Sequence, residues 1–492
     1  MNLRIKPLDE ILATAEKKTL HRTLGPFQLT MLGVGAIIGT GIFVLTAEAT
    51  QLAGPGMMVS FILAGFVCAV CALCYAELAS MVPVSGSAYT YCYGVMGELV
   101  AWVVGWALIL EYAVAASAVS VGWSNYFVGV IDRAFGWHIP IALAKGYFAG
   151  GFINLPAIVI GGLVTALLYI GTRESAWVNT TLVVIKIIAL TIFCFLAIPV
   201  IHMENFHPFA PLGAVGVGGA AASIFFAYVG FDAVSTAAEE TKNPQRNVPI
   251  GLIGSLVICT IFYLVVAAGA IGSVGGQPII VDGVGLTPGS ALFNEACKLA
   301  ANAGTLACSD EPLAHVLAVI GWTKVASLIG LAAFLALPSV ILMMLFGQTR
   351  VFFVMSRDGL LPEVLSRVHK KFRTPHVVTA ITGLFVVIAA AFFPVGELAN
   401  ISNSGTLLAF AMVAIVVMML RLRDPDRRRG FRTPWIWVVG PLAVLGCVGL
   451  FILLTGAAKI VFIVWASVGL VAYYLYGYRH SHYARDEKAA GR

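Results

Sequence analysis

The sequence predicts an all-α, polytopic membrane protein with twelve transmembrane helices. Three observations carry this. The 492 residues are 60% hydrophobic and 11% charged, with a mean hydropathy of +0.93, whereas a soluble domain carries about 25% charged residues. Windows of about 20 residues give apolar runs near 27–49, 56–82, 95–128, 155–173, 175–200, 213–238, 248–273, 317–349, 376–394, 400–421, 433–453 and 458–478. Basic residues then sort by side when both termini are cytoplasmic. Arg133, Lys145, Lys298, Lys324 and Lys459 fall outside, Lys186 lies within a span, and the rest of the 30 Lys and Arg residues fall inside. The net charge of +6 sits in these inner loops and asks for no nucleic acid partner.

Before the first span, Met1 to Pro26 is charged and unlike a cleavable signal. Leu8, Ile11, Leu12 and Ala15 have the spacing of a helix lying on the inner membrane face, the alternative being a disordered tail. Span one contains Gly33-Val34-Gly35-Ala36-Ile37-Ile38-Gly39-Thr40-Gly41. Glycine loses the most backbone freedom on entering a helix, so this stretch predicts a break from Gly35 to Gly41. Unwound backbone at membrane depth is tolerated only where protein or a cavity receives its polar groups. The freed groups are therefore expected to face a ligand.

Span two carries Cys68, Cys71 and Cys74, which read as small packing residues rather than metal ligands, since no His or carboxylate complements them. It ends at Tyr75 to Tyr89, where Pro83 and Gly86 force a tight inner turn. In span three, Glu98 lies near an end and is expected at the interface. Glu111 lies deep, and a carboxylate there needs a partner, a proton or water. In span five, Lys186 lies about 12 Å beyond Val178 at about 1.5 Å per residue, too deep to snorkel comfortably. It is either a functional, proton-exchanging group or a structural lysine tied to backbone carbonyls.

Span six repeats the irregularity in Phe225-Phe226-Ala227-Tyr228-Val229-Gly230-Phe231-Asp232, then leads into an inner turn from Glu239 to Pro249. Spans one and six lie in opposite orientations, and interrupted helices at matching places in two halves point to a midplane binding site. Close packing of two glycine-rich helices is the alternative. The outer loop 275–317 holds a possible surface helix over 290–302, and Cys297 and Cys308, either bonded or two free thiols. A helix under the membrane is expected between Arg350 and Pro362, and this run and 421–432 set topology.

The stretch Gly33 to Phe43, the Tyr75–Tyr89 segment, Phe225 to Pro249, and Gln348-Thr349-Arg350 through Pro362 together resemble the amino acid, polyamine and organocation superfamily. The branch resembled is the cationic amino acid transporter family and its bacterial relatives. The resemblance implies a LeuT-type five-plus-five inverted repeat, 27–200 and 213–421, with two added helices in 433–478 and cytoplasmic segments 1–26 and 479–492. It implies secondary active uptake of L-amino acids by alternating access, at the plasma membrane of a bacterial cell. The substrate carboxylate is expected on the amides of Gly39, Thr40 and Gly41 at the start of the inner half-helix. The ammonium is expected on carbonyls near Ile37, Phe226 and Ala227, beside Gly230. Phe231 is a gate by analogy, or else a packing aromatic.

Lys186 matches a span-five lysine of bacterial relatives that resembles a stand-in for sodium, so proton-coupled symport is expected, with no cofactor and no metal. Glu111 matches a span-three acid, serving the proton route or favouring cationic substrates, and pairing with Lys186 is one arrangement. The loop 129–154 lacks the cysteine that relatives use for a disulfide-linked accessory subunit, so none is expected. Exchange of amino acids, or of an amino acid for its amine, is the alternative. A membrane sensor or an intramembrane enzyme is remote: the tails are shorter than a domain of about 50 residues, and no nucleophile–base pair appears in the spans.

Overall fold

The computed structural model describes residues 4–11, 24–83, 87–171, 176–238, 241–299, 302, 304–372 and 374–482. Leu12, Ala15, Ser85, Gly86, Arg173, Glu239, Glu240, Arg373 and the tail 483–492 lie outside the described residues.

Pro26 starts α1 (Pro26–Ile37), where its missing N–H costs nothing. The chain then goes extended at Ile38 and Gly39, resumes as α2 (Thr40–Phe43), bends at Val44 and continues as α3 (Leu45–Ala53). A turn at Gly54, with φ +58°, reverses it into α4 (Met57–Met81). Next come α5 (Ser87–Val95), α6 (Glu98–Phe135), α7 (Leu155–Ile170) and α8 (Ala176–Ala197). The second interruption follows: α9 (Gly213–Ile224), a tighter turn at Phe225–Tyr228, and α10 (Ala233–Thr236). The remaining helices are α11 (Pro244–Val274), α12 (Ala291–Lys298), α13 (Pro312–Val319), α14 (Thr323–Arg357), α15 (His376–Phe392), α16 (Val395–Arg423), α17 (Ile436–Leu453) and α18 (Gly456–Ala472). One short hairpin pairs Ile280 with Gly285 and Val281 with Val284.

Among the described residues, 8 helices are long and apolar enough to cross a membrane, with Leu45–Met81 counted as one run. The shorter apolar helices are Pro26–Ile37, Leu155–Ile170, Gly213–Tyr228 and His376–Phe392. Two of these are halves of interrupted spans. The other two, at 16 and 17 residues, reach only about 24–26 Å against a hydrocarbon core of about 30 Å.

The centre is α6, whose most apolar stretch is 78% buried, against 17% for the run Gly456–His480 at the periphery. It packs along α14 and α16. Arg4 donates to the Tyr478 carbonyl at 2.9 Å, so the described chain ends share one face. There Leu8 and Ile11 are buried against Gly94 rather than lying at a lipid interface. Two further expectations are corrected. The separate helix after Arg350 is instead a continuation of α14 to Arg357, despite Pro338 within it. Glu98 is buried rather than interfacial, because Tyr473, Arg4 and Tyr93 donate to its carboxylate at 2.9, 3.4 and 3.4 Å. The expected surface helix forms as α12, with Ser290 accepting from the Phe293 amide at 3.2 Å. Cys297 and Cys308 are disulfide-bonded.

Candidate functional site

The last carbonyls of a helix have no partner within it, and α1 ends in the middle of the molecule. Each of its last four has a distinct neighbour. The Val34 carbonyl accepts from the Ile38 amide at 2.9 Å, and the Gly35 carbonyl from Lys186 Nζ at 2.9 Å. The Ala36 carbonyl lies against Gly230, whose φ of +117° and lack of a side chain permit that approach. The Ile37 carbonyl is met by the Tyr263 hydroxyl at 2.8 Å. That hydroxyl is equally 2.8 Å from the Ala227 carbonyl, so one proton serves the ends of both interrupted helices. The Phe226 carbonyl accepts from the Val229 amide at 3.2 Å.

Beyond the break the polarity reverses. Among the described residues, no backbone carbonyl accepts from the amides of Gly39, Thr40 or Gly41. The Thr40 hydroxyl is buried with no hydrogen-bond partner. Free N–H groups at a helix start, with the positive end of its dipole, favour an anion. This half-helix runs away from the face that the described chain ends share, so with the chain ends cytoplasmic, as the basic residues predict, it is the outer rather than the inner half-helix that the resemblance implied. Gly41 touches Ala227 so closely that any side chain at 41 would overlap its backbone. Gly122 of α6 packs equally close to Thr40, and a side chain at Gly39 would be in contact with Val340 of α14. The two interruptions therefore meet, with amides on one side and carbonyls on the other.

Lys186 is 1% exposed, and its ammonium lies at the negative end of α1, where a cation is favoured. The structure does not pair it with Glu111. That residue lies on α6 against α16: Ser402 donates to its backbone carbonyl at 3.0 Å, and a side chain at Gly405 would press on its Cβ. Neither Glu111 carboxylate oxygen has a hydrogen-bond partner among the described residues, although Thr406 and Asp232 are near. Asp232 accepts from the Tyr112 hydroxyl at 2.7 Å. Phe231 is fully buried in an aromatic cluster, its ring 5.0 Å from Phe410 and 5.8 Å from Tyr75.

Tyr263, Asp232, Tyr112 and Glu48 were not singled out from the sequence. Asp232 and Glu48 carry a signal, a carboxylate inside an apolar run. The two tyrosines carry none, because an aromatic in a span is ordinary.

Residues 24–478 match the family model for amino acid permeases. The chain belongs to the amino acid permease family. This places the permease in the amino acid, polyamine and organocation superfamily, as the glycine-rich stretch and its companion motifs implied. It is 46% identical over 477 residues to the branched-chain amino acid permease BcaP of Bacillus subtilis, covering 96% of this chain and 97% of that one. It is 41% identical to the methylthioribose transporter of the same organism, over 97% and 98% of the two chains. Identity to the chloroplastic cationic amino acid transporter 9 of Arabidopsis thaliana is 36%, over 94% and 79%. These relatives are named as permeases and transporters, and the permease is a multi-pass membrane carrier, not an enzyme.

Proposed function

We propose that this permease carries neutral aliphatic L-amino acids into the cell by proton-coupled symport with alternating access. Its twelve spans form the five-plus-five inverted repeat with two added helices, in a bacterial plasma membrane with both chain ends cytoplasmic. The observation that carries the reading is the meeting of two interrupted helices that present unpartnered amides at Gly39, Thr40 and Gly41 opposite the carbonyl ends at Ile37 and Ala227. A zwitterion matches that polarity, its carboxylate on the amides and its ammonium taking over a carbonyl that Tyr263 now holds. Ile38 and Val340 give the side chain apolar surroundings. The names of the branched-chain permeases, including one from Lactococcus lactis at 31% identity, support a neutral aliphatic substrate. A disulfide on the face opposite the chain ends supports an oxidising exterior there.

Lys186 is the coupling group in this reading. Protonated, it ties the end of α1 through a charge-assisted bond to the Gly35 carbonyl; deprotonated, it holds that end only as a weaker neutral donor, so proton binding and helix position are linked. Glu111, close to Asp232 on the α6 side, is the second group of the proton route in this reading. The same Lys186–Gly35 bond also favours a second reading, in which the lysine is purely structural and the protein exchanges amino acids.

Uptake of radiolabelled L-leucine into liposomes, with and without an inward proton gradient, separates them. Wild type accumulates leucine only with the gradient, whereas Lys186→Ala loses accumulation and retains exchange. Equal accumulation by both forms would overturn proton coupling through Lys186.

A further inference from the structure

We propose that the cavity on the face away from the chain ends is a second amino acid site, a waiting station in which Glu48 accepts the ammonium group of an incoming zwitterion. This rests on the reading of the protein as an amino acid carrier. The cavity holds about 300 Å³, at the lower end of small-ligand pockets of roughly 300–1,000 Å³. Its floor is Val44 to Glu48, immediately beyond the helix that starts at Thr40. One wall is the junction of α15 and α16 at Phe393 to Glu397, and the disulfide-bonded Cys297 and Cys308 stand on the other.

Glu48 is anchored by one oxygen and free at the other. Ser223 donates to Oε1 at 2.6 Å, and the Asn400 amide donates to the same oxygen at 3.4 Å. Asn400 is itself held by the Gly396 carbonyl at 2.8 Å. Among the described residues nothing donates to Oε2, and no Lys or Arg forms an ion pair with Glu48. Gly396 lies against that oxygen, and any side chain there would overlap it. Glu48 is only half-buried, and it lines the cavity, so this oxygen is reachable from it. Here three helices aim one oxygen at a cavity.

The cavity also supplies the complementary charge. Lys145 and Lys298 line it, together with the carboxylates Asp310 and Glu397. Lys145 pairs with Asp310 at 2.8 Å, and that carboxylate raises the lysine pKa above its ordinary value, so the ammonium keeps its charge at neutral pH. An amino acid spans the two ends, ammonium to Glu48 and carboxylate to the lysine side. Its ammonium end then lies about two helix turns along the chain from the free amides of Gly39 to Gly41.

The test is concentration-dependent L-leucine uptake by the full chain in liposomes, for wild type, Glu48→Gln and Glu48→Asp. Leucine methyl ester, which keeps the ammonium group, and 4-methylpentanoate, which lacks it, serve as competitors. Loss of one charge-assisted contact is expected to raise KM about tenfold for Glu48→Gln, with Vmax within about twofold. Glu48→Asp, which keeps the charge on a shorter arm, lies between. The ester competes in wild type and weakens in step with KM, while 4-methylpentanoate is insensitive to the substitution. An unchanged KM, or a lost Vmax at unchanged KM, overturns the waiting station while leaving transport intact. Wild type that moves no amino acid overturns the carrier reading and this proposal together.

Discussion

The two faces of the molecule hold their charges differently. On the chain-end face, fully buried Glu77 accepts from Arg421 at 2.7 and 2.8 Å, from Arg429 at 3.0 Å and from the Thr433 amide at 2.8 Å. Asp358 accepts from Lys6 at 3.0 Å and from Tyr89 at 2.9 Å, which straps the N-terminal segment across α5 and the end of α14. On the opposite face, among the described residues, Arg133 pairs with Glu311 and Lys145 with Asp310, with the arginine and lysine side chains about a third exposed, and His138 meets Asp132 in a still more exposed contact. There the chain surrounds a cavity. One face is sealed by desolvated charge, which is costly to separate, and the other by pairs that water screens. In the proposed alternating-access cycle, the sealed face sets how readily the cycle proceeds.

The largest expected effect comes from breaking the seal at its centre. Glu77→Ala leaves two arginines without their buried acceptor and should cost about 3–5 kcal/mol, read as a lowered unfolding temperature in detergent. A loss below about 1 kcal/mol would place Glu77 with the exposed pairs and erase the contrast. Tyr263→Phe acts between the faces. Removing the hydroxyl shared by the Ile37 and Ala227 carbonyls should cost about 1–3 kcal/mol in the same assay. It should also lower uptake, because both interrupted helices lose their common anchor. Lys6→Ala is the smallest, about 1 kcal/mol or less, since Asp358 keeps Tyr89. Its sharper readout is thiol labelling. Cys92 is buried on α5 next to Tyr93, whose carbonyl accepts from the Lys6 amide, and its modification, located by mass spectrometry, should accelerate when the strap loosens. An unchanged rate would mean that the strap does not help close this face.

Much of the fold was legible because hydrophobicity and helix breaking are local. The windows found the apolar helices, and the glycines at 35, 39 and 41 marked the first break within a few residues of where Ile38 and Gly39 leave the helix. The odd position of Gly230 marked the second. Lys186 and Glu111 stood out as charges inside apolar runs, but their neighbours did not. Lys186 meets a carbonyl 151 residues away, and Glu111 lies against α16 instead of the lysine.

By itself, then, the sequence determined that this is a helical membrane protein of the amino acid permease kind with two interrupted spans, since composition, periodicity and glycine placement act over one or two helical turns. Tertiary structure alone decided that Tyr263 ties the two breaks together, that Glu98 is buried, that Cys297 bonds Cys308, and that Glu48 turns one oxygen to a cavity. Each of those outcomes depends on helices distant in sequence packing side by side, and backbone groups left over at a break accept whichever donor the packing delivers.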